Sequence, residues 1–407
     1  MAHLPIASSP RTRRAHGLRR FLLLLALLVA LILLLAGCAT RTAPAPPDAL
    51  FADRLFPGSA PPVPAAEVFA LSDAMRRYAD STLAATASRR DPRRALIEAL
   101  YGERALQYDT SRTRTAAEAF DARAGNCLSL VIMTAAFAQH LGLPVSYRQV
   151  LVDESYTREG GLTLASGHVN LVLSRLRSRA PSSEAGSDDL SVDFLPPEQR
   201  RGQHSEPLDE PRIVAMFMNN RAAEALTQGR VAEAYAWVRE ALRQDPAFLV
   251  AVNTLGVVYH RAGHLREAEA ALRHVLQHEP RQLAALSNLV ALLRQRQRDA
   301  EAEPLATRLA ALQPEPPFHQ YGLGREALAE GRWADARRHF ERELRLQPQQ
   351  HEVHHALAIA LWRLGEPAAA LRHLRRAAEH GTTSADRGRY GAKLEQLRAS
   401  AAAPPAR

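Results

Sequence analysis

The chain opens with an unbroken apolar run, Phe21 to Ala36. Arg11, Arg13, Arg14, Arg19 and Arg20 precede it, and Leu35-Ala36-Gly37-Cys38 closes it. Sixteen apolar residues fall short of the roughly 20 that a spanning helix needs. A positive start, an apolar middle and a small-residue end predict a secretory leader over 1–37. Pro and Ala then dominate residues 38–65, which predicts a tether. Helical spacing follows, with Val68, Leu71, Met75 and Tyr78, then Leu96, Leu100 and Leu106 after "DPRR". A helix is predicted over 126–140: Asn126 is its N-cap, Cys127 to Phe137 its apolar run, and Gly142 with Pro144 its stop. Residues 145–152, 168–173 and 190–194 read as strands, and "SRAPSSEAGSDD" between the last two as a loop. Helices followed by strands predict an α+β domain over 66–196, closed by a polar linker, "EQRRGQHSEPLDE", over 197–211.

Beyond 211 a period of 34 takes over: Pro246, Pro280, Pro314 and Pro348 are spaced by it. Ala234, Ala268, Ala302 and Ala336 keep step, and so do the compact residues Ala222, Gly256, Val290 and Gly324. The second unit carries Leu255, Gly256 and Tyr259, the fourth adds Phe340, and a fifth continues through Leu357, Ala358 and Ala370. The pattern resembles the tetratricopeptide repeat, in which small residues sit where two helices approach and a proline ends the second helix. It predicts an all-α solenoid of about five repeats over 212–382, a capping helix over 383–400 and a disordered tail over 401–407.

Composition changes little in this picture. The formal charge of +9 falls to about +4 once the five leader arginines are removed, and Lys393 is the only lysine. A mild, dispersed surplus is not the clustered stripe that nucleic acid requires, so no nucleic-acid partner is expected. The 46% hydrophobic content is enough for two cores. "LAGC" resembles the bacterial lipobox. That resemblance implies diacylation of Cys38, cleavage before it and membrane attachment through the lipid. Ala39 rather than Asp after the cysteine favours the periplasmic face of the outer membrane. An uncleaved membrane anchor is the alternative, and either way the remainder lies outside the cytoplasm.

Only two cysteines occur, Cys38 and Cys127. If Cys38 carries lipid, Cys127 has no disulfide partner in the chain, although exported proteins usually pair their cysteines. Such a thiol is either buried and inert or kept for chemistry. A cysteine in the first turn of a helix is placed as a nucleophile, because the orphan N–H groups there favour thiolate. It then needs a base and an orienter for that base. His168 opens "HVNLVL" and Asp193 lies in "SVDF". Residues opposite each other across a hairpin have numbers adding to a constant. For this pair the constant is 361, which puts the turn at 180–181, inside the loop. The run "RTAAEAF…RAGNCLSL", "HVNLVL", "VDF" resembles the bacterial transglutaminase-like cysteine hydrolase superfamily. The resemblance implies Cys127 as nucleophile, His168 as general base and Asp193 as orienter, with acyl transfer from an amide or ester through a thioester. No metal or other cofactor is expected. Papain-like enzymes place a Gln about six residues before the nucleophile as an oxyanion donor. Here that position is Asp121, and only the Cys127 N–H is available by sequence.

The chain thus reads as an α+β transglutaminase-like domain followed by an all-α tetratricopeptide-repeat solenoid. The concave positions of that repeat family correspond to Asn219, Asn253, His260, Arg261, Arg294, Tyr321, Arg325, His355, Trp362 and Arg363. Their mixture of Arg, Asn and aromatics suits a peptide or protein ligand. "HEVHH" at 351–355 matches H-E-x-x-H through His351, Glu352 and His355. The repeat frame nonetheless makes it the first helix of the fifth unit, with Glu352 and His355 facing the groove. Two functions remain open: an envelope cysteine hydrolase or acyltransferase whose repeats recruit substrate, and a non-catalytic assembly scaffold.

Overall fold

The computed structural model describes residues 48–58, 60–83, 91–102, 106–159, 162–175, 189–194, 204–314 and 318–402. The leader, Cys38 and the turn expected at 180–181 lie outside them.

The 34-residue period becomes consecutive helix pairs. These are α5 (Glu210–Thr227) with α6 (Val231–Gln244), α7 (Leu249–Arg261) with α8 (Leu265–His278), and α9 (Leu283–Gln295) with α10 (Asp299–Leu312). Next come α11 (His319–Ala329) with α12 (Trp333–Leu346) and α13 (His351–Arg363) with α14 (Pro367–His380), capped by α15 (Ser384–Ala402). Ala234, Ala268, Ala302, Ala336 and Ala370 are fully buried. At Gly324 an added Cβ would stand 2.4 Å from the Phe340 ring, and at Gly256 it would stand 2.9 Å from Leu272. These are the close helix approaches the pattern implied. The four prolines follow the second helices and end them. Within each pair the turn passes through a left-handed residue: Gly229, Gly263, Gly331 and Gly365, with Gln297 (φ 58°) in the third unit.

Ahead of the solenoid, α1 (Asp73–Tyr78), α2 (Pro92–Tyr101), α3 (Ala116–Ala122) and α4 (Cys127–His140) accompany two sheets. A small parallel pair joins β1 (Gln107–Tyr108) to β2 (Ala124–Gly125). The larger sheet runs β5 (Leu190–Val192), β4 (Leu162–Leu173), β3 (Val145–Glu159), β6 (His204–Leu208), antiparallel throughout. Helix α4 is buried on nearly all sides, from Leu128 to Ala138, and packs on β4, whose Val169, Leu171 and Leu173 are fully buried. An all-round apolar helix is a core helix. β3 and β4 pair regularly from Val145↔Leu173 to Val150↔His168, then a register shift intervenes.

Two expected boundaries are corrected. The polar stretch over 197–211 is not simply a linker, since β6 lies in it and pairs with β3 (Tyr147↔Leu208, Leu151↔His204), and α5 already starts at Glu210. Nor is the tether free up to residue 65. The Ala52 N–H donates to the Tyr235 and Tyr259 hydroxyls at 3.1 and 2.9 Å, and the Tyr259 hydroxyl donates to the Leu50 carbonyl at 2.7 Å. Phe56 stacks on Tyr235 with centroids 4.2 Å apart. The segment is docked on α6 and α7, and its aromatic burial contributes about 1.5–3 kcal/mol per side chain.

The loop after β1 is held by both ends of the solenoid. Glu224 of α5 accepts from the Thr113 N–H at 2.6 Å and pairs with Arg221 at 2.9 Å. From the α14–α15 corner, the Thr382 carbonyl accepts from the Thr110 N–H at 2.9 Å, and Arg387 donates to the Tyr108 carbonyl at 3.1 Å. Among the described residues no helix is long and apolar enough to cross a membrane.

Candidate active site

Cys127 is a free, half-buried thiol at the first residue of α4. The helix starts there because Asn126 caps it: its Oδ1 accepts from the Ser129 N–H at 2.9 Å and from the Ser129 hydroxyl at 2.8 Å. Asn126 also donates to Thr113 Oγ1 at 2.9 Å, and Ser129 Oγ accepts from the Arg114 N–H at 2.8 Å. The cap is therefore tied to the loop that the solenoid grips. Arg123 (φ 51°) ends α3 in the left-handed region and turns the chain into β2, two residues short of the thiol.

The structure brings Cys127, His168 and Asp193 together. His168, only 5% exposed, sits at the β3–β4 pair that adjoins the register shift, and its Nε2 is 2.7 Å from Asp193 Oδ1. A carboxylate only accepts, so Nε2–H donates and Nδ1 is the nitrogen left for the thiol. Burial opposes charge on the ring. The Asp193 hydrogen bond and the neighbouring Cys127 overcome that and raise its pKa to about 9.

The route to this contact differs from the expected register. β4 and β5 pair as Leu171↔Val192 and Leu173↔Leu190, so the constant is 363 rather than 361. Asp193 lies just past the strand end, in line with Asn170, and reaches His168 diagonally. A diagonal neighbour is within range of a short carboxylate and a ring. Phe194 packs on Tyr101 at 5.1 Å and anchors the far side of Asp193.

Tyr108 is a site residue that no sequence motif flagged. Its register partner is Gly125, and the Asp109 N–H donates to the Gly125 carbonyl at 3.0 Å. The hydroxyl lies against the amide and thiol of Cys127. A two-residue parallel pairing leaves no periodic trace, so only the spacing of a Tyr ahead of "RAGNC" could have hinted at it. Asp121, at the position of the papain-type glutamine, is exposed at the end of α3.

The expected groove positions differ in availability. Arg261, Arg294, Arg325 and Arg363 are exposed, whereas Asn219 is buried. Asn253 accepts from Asn288 at 3.0 Å, and His260 bonds Gln295 at 2.6 Å. Tyr321 and Trp362 pack against the core of the last repeats, Arg363 lies over the Trp333 ring at 5.4 Å, and His355 is 5.0 Å from the Tyr390 ring. "HEVHH" is structural. His351 contacts the Tyr390 hydroxyl at 3.0 Å, and His354 bonds His373 at 3.0 Å and the Pro348 carbonyl at 2.9 Å. Burial and neighbouring positive groups push His354 down to about 4, against the Pro348 carbonyl. Among the described residues no group of His, Cys, Asp and Glu is arranged to hold a metal ion.

Residues 253–317 and 321–386 match one tetratricopeptide repeat model, and 225–280 match a second. The C-terminal region carries tetratricopeptide repeats, an architecture suited to protein or peptide partners. Among solved structures, a MamA mutant is 23% identical, with 41% of this chain and 98% of that one covered at a TM-score of 0.24. YrrB, described as a TPR protein with an unusual peptide-binding site, is 18% identical over 42% of this chain and 89% of its own, at 0.24. The pilF protein of Pseudomonas aeruginosa is 25% identical over 45% and 83%, at 0.27. A search of curated proteins gives no match.

Proposed function

We propose that this chain is a lipid-anchored envelope protein whose α+β domain transfers acyl groups from amide or ester bonds of a peptide or protein, with water the expected acceptor. One observation carries the reading. The His168 imidazole stands between a carboxylate 2.7 Å from Nε2 and a thiol at a helix N-terminus. In that arrangement the thiol proton rests on the His168 ring, which Asp193 and Cys127 keep charged at neutral pH, and sulfur attacks the carbonyl carbon. The imidazolium returns the proton to the leaving amine or alcohol, and a thioester remains for water. Asp193 fixes the ring and stabilises its charged form. The repeats supply partner recognition, with exposed Arg261, Arg294 and Arg325 on the expected concave positions.

Iodoacetamide tests the thiol directly. Cys127 in the folded protein at neutral pH should alkylate faster than in the unfolded chain, and His168→Ala should slow it roughly tenfold or more. Asp193→Asn should have a smaller effect, because the orienter acts through the imidazole. A thiol that reacts slowly until the chain unfolds, and ignores His168→Ala, leaves a non-catalytic scaffold as the function.

A further inference from the structure

We propose that the Tyr108 hydroxyl is the second oxyanion donor, completing with the Cys127 N–H a cradle for the carbonyl oxygen that becomes charged during attack. The assignment rests on the acyl-transfer reading above and extends it to a residue outside the Cys–His–Asp set.

Geometry places the residue from two sides. The β1–β2 ladder sets Tyr108 opposite Gly125, and the Asp109 N–H to Gly125 carbonyl bond of 3.0 Å locks that register two residues before the nucleophile. On the other side, Arg387 donates to the Tyr108 carbonyl at 3.1 Å, and the Thr110 N–H donates to the Thr382 carbonyl at 2.9 Å. Strand β1 is thus held between the nucleophile loop and the far corner of the solenoid, and its one large side chain projects to the thiol. Gly125 also has a reason to be glycine, since a Cβ there would stand 2.8 Å from the Ser129 side chain, inside the turn that aims Cys127.

The chemistry of the neighbours agrees. The first N–H groups of a helix have no partner within it; the Cys127 amide instead faces the Tyr108 hydroxyl, so a substrate oxygen would enter between the two donors. Asp121, where a glutamine donor stands in papain-like enzymes, is an exposed carboxylate and can only accept. Tyr108 is 40% exposed as a whole residue, yet its hydroxyl end is buried against Cys127. That burial, and then the charge of Cys127, hold the phenol well above its ordinary pKa. It therefore keeps its proton at neutral pH and has it to donate.

In the step concerned, the thiol proton is already held on the His168 ring and the sulfur lone pair forms the S–C bond. The carbonyl π pair moves onto oxygen, where the Cys127 N–H and Tyr108 O–H meet it. Collapse of the tetrahedral intermediate returns that pair to C=O and expels the leaving group, giving the thioester.

The test compares two electrophiles on the full chain. p-Nitrophenyl acetate acylates a thiol through a tetrahedral oxyanion and releases p-nitrophenolate. Iodoacetamide alkylates it by displacement at a saturated carbon, with no oxyanion. Tyr108→Phe keeps the ring and removes only the hydroxyl. The acylation burst should slow roughly 100-fold while alkylation stays within about twofold of wild type, which also reports an intact site. Unchanged acylation overturns the proposal. So does faster acylation, because the hydroxyl would then be covering the cradle. Equal loss with both reagents also overturns it, since Tyr108 would then be acting on the thiolate. A wild-type thiol inert to both reagents removes the acyl-transfer reading itself, and the oxyanion assignment with it.

Discussion

His168 is the residue on which charge, burial and position converge. An unperturbed histidine titrates near 6.5, and here the value rises to about 9, with burial opposed and overcome by Asp193 and Cys127. Because the folded value is raised, the charged form's stabilisation is fully present below pH 6.5 and is lost as pH rises through 9. A shift of this size corresponds to on the order of 3 kcal/mol. Asp193→Asn should therefore lower the thermal midpoint clearly near pH 6, with most of the difference gone above about pH 9. Thermal melts across that range check it, and an equal loss at both ends would mean that Asp193 acts through packing alone. The pairing of these side chains was legible in the sequence because strand positions and a loop constrain each other. The register was not, because "SRAPSSEAGSDD" can close with more than one turn, and each choice moves the constant. Tyr108 was illegible for another reason: two residues of parallel pairing carry no period.

At the scale of elements, the repeats were the clearest part of the sequence, since each helix pair must solve the same packing problem with the same small residues. Gly324 and Gly322 lie on one helix and separate the causes. A Cβ at Gly324 would collide with the fully buried Phe340 ring, whereas at Gly322 it meets nothing within 4 Å. Gly324→Ala should destabilise by about 1–3 kcal/mol through overpacking, and Gly322→Ala should stabilise by up to about 1 kcal/mol through helix propensity. Denaturant midpoints distinguish them, and parallel shifts would refute the close-approach argument. The same period could have exposed the left-handed turn at 229, 263, 331 and 365, but Gln297 interrupts the glycines. β6 escaped notice because an edge strand with Pro207 and exposed Glu206 shows no alternation. The docked segment escaped because its Leu50, Phe51, Leu55 and Phe56 are set among Pro and Ala that read as tether.

At the scale of the molecule, the first repeat and the final corner of the solenoid both hold residues 108–113. A partner that strained the solenoid would therefore load the loop bonded to Asn126, the cap of α4. The proposed anchor belongs to this scale too. Wild-type chain should incorporate a fatty-acid analogue in a bacterial host, and Cys38→Ser should not. Equal labelling would replace the lipid with an uncleaved anchor. Docking of the segment around Ala52 and Phe56 on α6 and α7 then sets a reach. With lipid on Cys38, only Ala39 to Pro47 separate the bilayer from Asp48, the first residue whose fold is described. Nine residues stretch at most about 30 Å, against roughly three times that for a chain free to residue 65. Asp48 would thus stay within about 30 Å of such a lipid, and bonds beyond the reach of a domain tethered there would have to be brought to it.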